Sequence, residues 1–516
     1  MKSSEWKSAG REEKGMAGYL IMGVMAALFL TVSTIISRKF AGEGVDGFVA
    51  GGRNMPFGLI TASAMVSWIW AITIMGSAEQ GMVLGVSGGF SYAFGSMLPF
   101  FVFIPLVMQI RKKMPKCTTF VEFIRVRYGE KLSVLFMFFA LLLTLYILLS
   151  QGMGLGVVFN TIYGIPFKIA AAVPIIIVAL YVANAGLKGS VFNDFIMFLI
   201  IAVIMVVTIP MIIHYFGLSN IYNGIQDAAT NPSNPNYNPN ALNFLSKDGM
   251  NYGLVCFIVC LGQILLDQGY YSKAVSTASS KSLLAAYIIG TVFAWMPIPI
   301  ICGNVLGGAG LSLGLDSSVL TSTSDVAPYI YKVVFGGGIG TVLFVLMVFM
   351  AGLSTGGDVL SGAQAICTVD IYKRYVNTGA TEQQQKRFGK IMTLIIGIVM
   401  AFVVMLFEGK SLVQIDVLTG IVFASPCACL IIGIFWNRVN ETTSIISIIA
   451  GVASGIIGYV ATGDYVVGNL ISLILPIVIV IVGGLVSNYR FDFNELKAYE
   501  PDHQVKLTAE AAHSEA

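Results

Sequence analysis

Runs of roughly 20 apolar residues, each long enough to cross the hydrocarbon core of a bilayer, recur along almost the whole chain. They fall at 17–36, 57–83, 88–110, 132–160, 166–185, 191–214, 251–271, 282–308, 328–370, 390–407, 411–436, 442–462 and 467–488. Polar, glycine or proline breaks separate them. This spacing predicts an all-α polytopic membrane protein with about 13 transmembrane helices, because helices and closed barrels alone satisfy their backbone in lipid. Composition agrees. Hydrophobic residues make up 56% and charged residues 11% of the 516, against about 25% charged in a soluble domain. An ordinary water-soluble enzyme and a disordered chain are both excluded. A net charge of +3 gives no reason to expect nucleic acid. The first run is too long for a signal peptide, and no small-residue cleavage pattern precedes Arg38 and Lys39. The run 328–370 exceeds one bilayer thickness, so it is expected to tilt or to continue beyond the membrane.

Charge sets the expected orientation. With the N-terminus outside, the loops assigned to the cytoplasm hold 22 of the 30 lysines and arginines, which fits the positive-inside bias. Arg111, Lys112, Lys113, Lys116, Arg125, Arg127 and Lys131 mark one such loop, and Lys373, Arg374, Lys386, Arg387 and Lys390 another. Lys2, Lys7, Arg11 and Lys14 dissent, diluted by Glu5, Glu12 and Glu13. A cell-membrane location follows, with the C-terminus cytoplasmic. The segment 215–250, rich in Asn and Pro, reads as a solvated outer cap, and the tail 489–516 as a fraying end. One transmembrane domain, 1–488, is expected.

Catalytic chemistry is hard to find. The seven cysteines lack the spacing of a zinc site and read as buried thiols, with Cys117 in a basic loop. His214, His503 and His513 form no cluster, and no nucleophile–base set lies in the spans. No resident cofactor, obligate protein partner or enzyme activity is expected.

Ionisable groups at membrane depth cost several kcal/mol unless paired or hydrated, so each is a functional candidate. Asp358 sits inside an apolar segment, with Ser354 four positions earlier on the same face. Asp194, Asp267 with Gln268, and Asp416 lie near predicted segment ends, where a headgroup-facing position weighs evenly against a functional one and is the plainer reading for Asp416. The second segment, GLITASAMVSWIWAITIMGSAEQG, is interrupted by Ser63, Ser67, Thr73 and Ser77 and carries Trp68 and Trp70 near its middle. A break there would expose carbonyls able to ligate a cation. With the hydroxyls of Ser354 and Thr355 they would make a hard-oxygen site suited to sodium. Back-bonding of those hydroxyls to their own helix is the alternative.

Several fragments taken together are distinctive. SWIWAITIM followed by GVSGGFSYAFG, then CTTFVEFIRVRYG, GYYSKAVS and FMAGLSTGGDVLSGAQAICTVDIYKRY occur in an order and spacing that resemble the sodium:solute symporter superfamily. Within it, the urea-active (urea/polyamine) transporter branch is most similar. The resemblance implies a LeuT-like core of two five-helix inverted repeats, about 57–214 and 251–436, with one extra helix before and two after. It implies alternating access coupled to sodium. The main sodium site would use carbonyls of Val66, Ile69 and Ala351 and hydroxyls of Ser354 and Thr355. Some members have a second sodium site near an aspartate matching Asp194, with serines where this chain has Gly357 and Asp358. That departure turns Asp194 and Asp358 into a candidate cation or proton site, since close carboxylates resist double ionisation.

The same resemblance places Ser67, Trp68, Trp70, Thr73, Gln263, Asp267, Gln268, Tyr270 and Tyr271 around the substrate. A planar neutral solute such as urea needs a flat aromatic wall and a few fixed polar groups. The expected activity is sodium-coupled uptake of urea or a related amine. Asp267, where the branch more often has asparagine, favours a cationic amine as the alternative, and the aspartate pair favours proton coupling. A sensor built on a symporter core is more remote, because the tail 489–516 is too short for a signalling domain.

Overall fold

The structure is a computed structural model and describes residues 2–39, 55–277 and 279–500. Among these, eleven helices are long and apolar enough to cross a membrane, and two bent pairs raise the number to thirteen. The elements run α1 Lys2–Lys39, α2 Phe57–Val66, α3 Ala71–Leu84, α4 Val86–Lys113, α5 Phe120–Tyr128, α6 Glu130–Tyr163 and α7 Phe167–Phe216. Helix α7 holds two spans, Phe167–Asn184 and Ser190–Phe216. Then come α8 Leu218–Thr230, α9 Lys247–Leu265, α10 Gln268–Ser276, α11 Ser280–Ser312, α12 Val326–Phe335, α13 Ile339–Val376 and α14 Glu382–Phe407. Helices α15 Leu412–Phe423, α16 Ser425–Phe435, α17 Glu441–Thr462 and α18 Tyr465–Val486 close the bundle. The expected LeuT-like architecture is present, with the first helix of each repeat interrupted: α2/α3 in one, α9/α10 in the other.

Local chemistry explains the interruptions. Between α2 and α3, bent by 51°, residues 67–70 leave the helical ladder without proline. Their polar groups find side chains instead. The Trp70 amide donates to Thr73 Oγ1 at 3.0 Å, and the Trp70 indole N–H donates to the Ser67 carbonyl at 2.9 Å. The Ala71 amide, at the start of α3, donates to Gln151 Oε1 at 3.0 Å. In the second repeat Asp267 caps α10 and accepts the Gly269 N–H at 2.8 Å. The 47° bend between α15 and α16 falls where Pro426 removes a backbone donor.

Three sequence expectations need correction. The single run 328–370 is two helices, because Gly336, Gly337 and Gly338 intervene and Gly336 takes φ +60. The segment 215–250 is more than a solvated cap: Ala241 accepts the Val86 N–H at 2.9 Å and Asn238 Nδ2 donates to the Val83 carbonyl at 3.1 Å. It is seated on the α3/α4 corner. The tail docks as far as residue 500, since Leu496 is buried and Tyr499 Oη donates to Glu122 Oε1 at 2.8 Å. Burial and the neighbouring Glu122 carboxylate push the Tyr499 phenol up, which keeps it a donor. Residues 501–516 of the expected fraying end lie outside the described residues.

Cys117 is buried like the other six cysteines. Large apolar side chains such as Val206, Phe402 and Leu485 remain exposed on the outer helix faces, as lipid contact requires. Arg127 is buried on the face opposite the 215–250 segment. It donates to the carbonyls of Gly433, Trp436 and Val439 at 3.0, 2.9 and 3.1 Å, so one guanidinium closes the ends of α16 and its loop.

Candidate functional site

Two polar clusters flank the break at 67–70. The first is charged. Lys273 Nζ lies 2.9 Å from Asp358 Oδ1 and 3.5 Å from Asp194 Oδ2, with all three side chains almost wholly buried. It donates to the Ser63 carbonyl at 3.1 Å and to Ser67 Oγ. Asp194 also accepts hydroxyl protons from Ser63 and Ser354, each at 2.6 Å. Thr355 Oγ1 donates to the Ser67 carbonyl at 3.1 Å. Asp194 and Asp358, paired in the sequence reading, are therefore brought together, but through an amine.

The hydroxyls of Ser354 and Thr355 do not back-bond along α13. They reach across to α7 and to the break. The break's carbonyls are not left free as a group: that of Ser67 takes the Trp70 indole and Thr355, and that of Trp68 takes Trp295 Nε1 at 2.6 Å and Thr73 Oγ1 at 3.2 Å. The Val66 carbonyl takes the Ile69 N–H at 3.0 Å. Val66, Ile69 and Ala351 are fully buried. Among the described residues no group of three or more His, Cys, Asp or Glu is arranged to hold a metal.

The second cluster has no cation among the described residues. Asp416 Oδ1 accepts from Gln263 Nε2 at 2.8 Å and from the Tyr146 hydroxyl. The Tyr146 ring lies 6.4 Å from that of Trp70. Five residues along α6, Gln151 holds the Ala71 amide with its oxygen and leaves its buried Nε2 without a partner. Trp68 Nε1 is likewise buried and unpartnered. A cleft of about 690 Å³ opens on the face that carries the 215–250 segment. Gln80, Tyr252, Val413, Gln414 and Val417 are among its walls, so α15 forms one side of it.

Asp416 is thus buried, and its expected headgroup-facing position is overturned. A carboxylate near the start of a helix is exposed only if nothing covers that end. Here α6 and α9 cover it.

The proposed substrate residues divide. Trp70, Thr73 and Gln263 stand at the break or on Asp416. Trp68 packs edge-on against Trp70, Phe100 and Tyr270, with ring centroids at 5.4, 5.4 and 5.9 Å. Gln268 lies elsewhere: its oxygen takes the Phe120 N–H at 2.9 Å, and its nitrogen donates to the Thr118 carbonyl at 3.2 Å and to Ser272 Oγ at 2.9 Å. Tyr271 stacks on Phe120 at 4.8 Å and donates to the Leu265 carbonyl at 3.0 Å. These two, with Arg111 donating to the Ala274 carbonyl at 2.7 Å, tie α10 to the entry of α5 and to α4. Asp267 is occupied as the α10 cap.

Sequence reasoning missed Lys273, Tyr146, Gln151 and Glu79. Lys273 had a visible signal, a lone lysine among small and apolar residues in GYYSKAVS, but it counts equally well as a loop charge. Glu79 is buried and accepts hydroxyls from Thr323, Ser324 and Ser411 at 2.7, 2.6 and 2.7 Å, which binds α3 to the 322–325 turn and the start of α15. Tyr146 and Gln151 sit in an unbroken helical run with nothing local to mark them.

Residues 48–451 match the family model described as the sodium:solute symporter family. The chain is 26% identical over 466 residues to the urea-proton symporter DUR3 of Oryza sativa subsp. japonica, covering 86% of this chain and 64% of that protein. It therefore spans less than two thirds of the rice relative. A probable urea active transporter 1 of Schizosaccharomyces pombe is 26% identical over 514 residues, 92% of this chain and 76% of that protein. Among solved structures, a Na+-coupled sialic acid symporter in a substrate-bound outward-open state superposes with a TM-score of 0.72 at 16% identity, covering 92% of this chain and 98% of that one. That likeness concerns the fold.

Proposed function

The chain belongs to the sodium:solute symporter family, and from that premise we propose that it imports urea or a closely related small neutral amide, driven by a cation moving down its gradient. The observation that carries this reading is the uncharged donor set around Asp416. Gln263 and Tyr146 fix one face of the carboxylate, while Gln151 leaves an amide donor by the same break. Urea offers N–H donors at one end and a carbonyl at the other, so a carboxylate and an amide N–H read both ends. Trp70 supplies an aromatic wall. The names of the rice and fission-yeast relatives support the same solute.

The break gives the coupling a physical route. Ser67 bonds Lys273 through its hydroxyl and receives Trp70 and Thr355 at its carbonyl. A cation entering beside Ser354 and Thr355 would compete for those oxygens and shift the Trp70 indole, which faces the solute. Sodium is the coupling ion favoured by the hard-oxygen set of Val66, Ile69, Ala351, Ser354 and Thr355. A proton is the second reading, favoured by the buried Asp194–Lys273–Asp358 cluster and the name of the rice relative. A small primary amine is the second reading for the solute, because Asp416 has no cationic partner among the described residues.

The test is labelled urea uptake into proteoliposomes. Accumulation above equilibrium is expected with an inward sodium or proton gradient, and not with potassium at equal pH. Comparable inhibition by unlabelled acetamide, and little by methylamine, fits a neutral-amide site. No accumulation under any of these gradients removes the urea reading, and stronger competition by methylamine transfers the site to amines.

A further inference from the structure

In the family resemblance, a second sodium would sit by Asp194 with serine hydroxyls from the ninth segment. This chain has Gly357 and Asp358 there, and the structure gives both departures a cause. A side-chain carbon on Gly357 would start 1.5 Å from Tyr181 Oη. That hydroxyl fills the space, donating to the Leu353 carbonyl at 2.9 Å. Asp358, in turn, faces the Lys273 ammonium at 2.9 Å. The ammonium is surrounded as a small cation would be: two carboxylates, the Ser63 carbonyl and Ser67 Oγ.

We propose that Lys273 is a tethered counter-ion that fills the second cation site, so that no external sodium binds between Asp194 and Asp358. The inference rests on the symporter reading above and deepens it: this cluster has its positive charge built in. Two carboxylates in a desolvated interior need a partner, and a covalently attached ammonium supplies one without being drawn from solution. A sodium ion placed there as well would meet the ammonium's like charge. Lysine suits the role better than arginine, because its compact point charge with three donors fits among several single oxygens. Gly269 permits the close approach of α10 to α13, since a side-chain carbon on it would lie 2.7 Å from Asp358 Cγ. The neighbouring Asp267 is turned to its own helix cap, the Tyr270 ring lies 5.9 Å from the ammonium, and Tyr287 Oη donates to the Tyr270 carbonyl at 3.2 Å.

Two measurements on the purified full chain test this, and neither depends on urea. In the first, radioactive sodium binding counts ions per chain. The wild type is expected to bind one at most. The double variant K273Q/D358S removes one positive and one negative charge, keeping the net charge of the cluster, and is expected to bind one more sodium than the wild type. In the second, K273A is heated with and without methylammonium. The variant is expected to lose several degrees of thermal midpoint and to regain most of them with methylammonium, while the wild type does not respond. Two sodium ions bound to the wild type overturns the proposal. So does a double variant that gains none, or a K273A that is as stable as the wild type and indifferent to methylammonium. A K273A that cannot be purified without methylammonium, and can with it, counts as the expected rescue; failure under both conditions leaves the decision to the sodium count of the double variant. Loss of urea transport with these readouts intact rejects the solute reading alone.

Discussion

The two buried clusters on either side of residues 67–70 hold the same functional group in opposite company. Asp194 and Asp358 share an ammonium. Asp416 is held by a phenol and an amide. A carboxylate answered by a tethered cation is electrostatically committed, and removing either partner leaves an unpaired buried charge. A carboxylate held by neutral donors is fixed in place but keeps acceptor capacity for something that arrives. The first cluster ties α7, α10 and α13 to the break, and under the proposed function the second offers the solute an acceptor.

Asp358→Asn tests the contrast most severely. It removes one of the two charges facing Lys273, so urea accumulation in proteoliposomes should fall to the equilibrium level while counterflow, which needs no gradient, is reduced less. Equal loss of both would show that the charged cluster also forms the solute site. Asp416→Asn should act the other way. Accumulation and counterflow should fall together, with KM raised about 10- to 100-fold, the range expected for a hydrogen bond to a charged group. An unchanged KM would remove Asp416 from the solute path. The smallest effect belongs to a residue remote from both clusters. Gly336→Ala forces a side chain into positive φ outside the left-handed helical region, which costs about 1–3 kcal/mol. The thermal midpoint should drop slightly with transport kinetics unchanged. A transport defect there would mean that the α12–α13 joint moves during the cycle.

The sites were unevenly legible. Asp358 stood out because an ionisable residue in an apolar run has no local explanation. Ser354 and Thr355 stood out with it. Asp416 is illegible in the sequence because a position near a segment end offers an easy escape to the headgroups, and only α6 and α9 close that escape. Lys273 falls among the loop charges when read in line, since nothing local distinguishes a lysine that reaches into the bundle from one that reaches out of it. The family resemblance groups Gln268 and Tyr271 with the solute. In the fold α10 turns them towards Thr118 and Phe120, away from Asp416.

The sequence by itself determined the solvent, the approximate number of spans, and the family. These depend on hydrophobicity summed over some twenty residues and on motif order, both of which are properties of the chain read in line. The tertiary structure decided which buried charges pair and which carboxylate stays open, because an ion pair depends on distances of a few ångströms between residues far apart in sequence. Asp194, Lys273 and Asp358 come from three helices, and no local pattern records that their side chains meet.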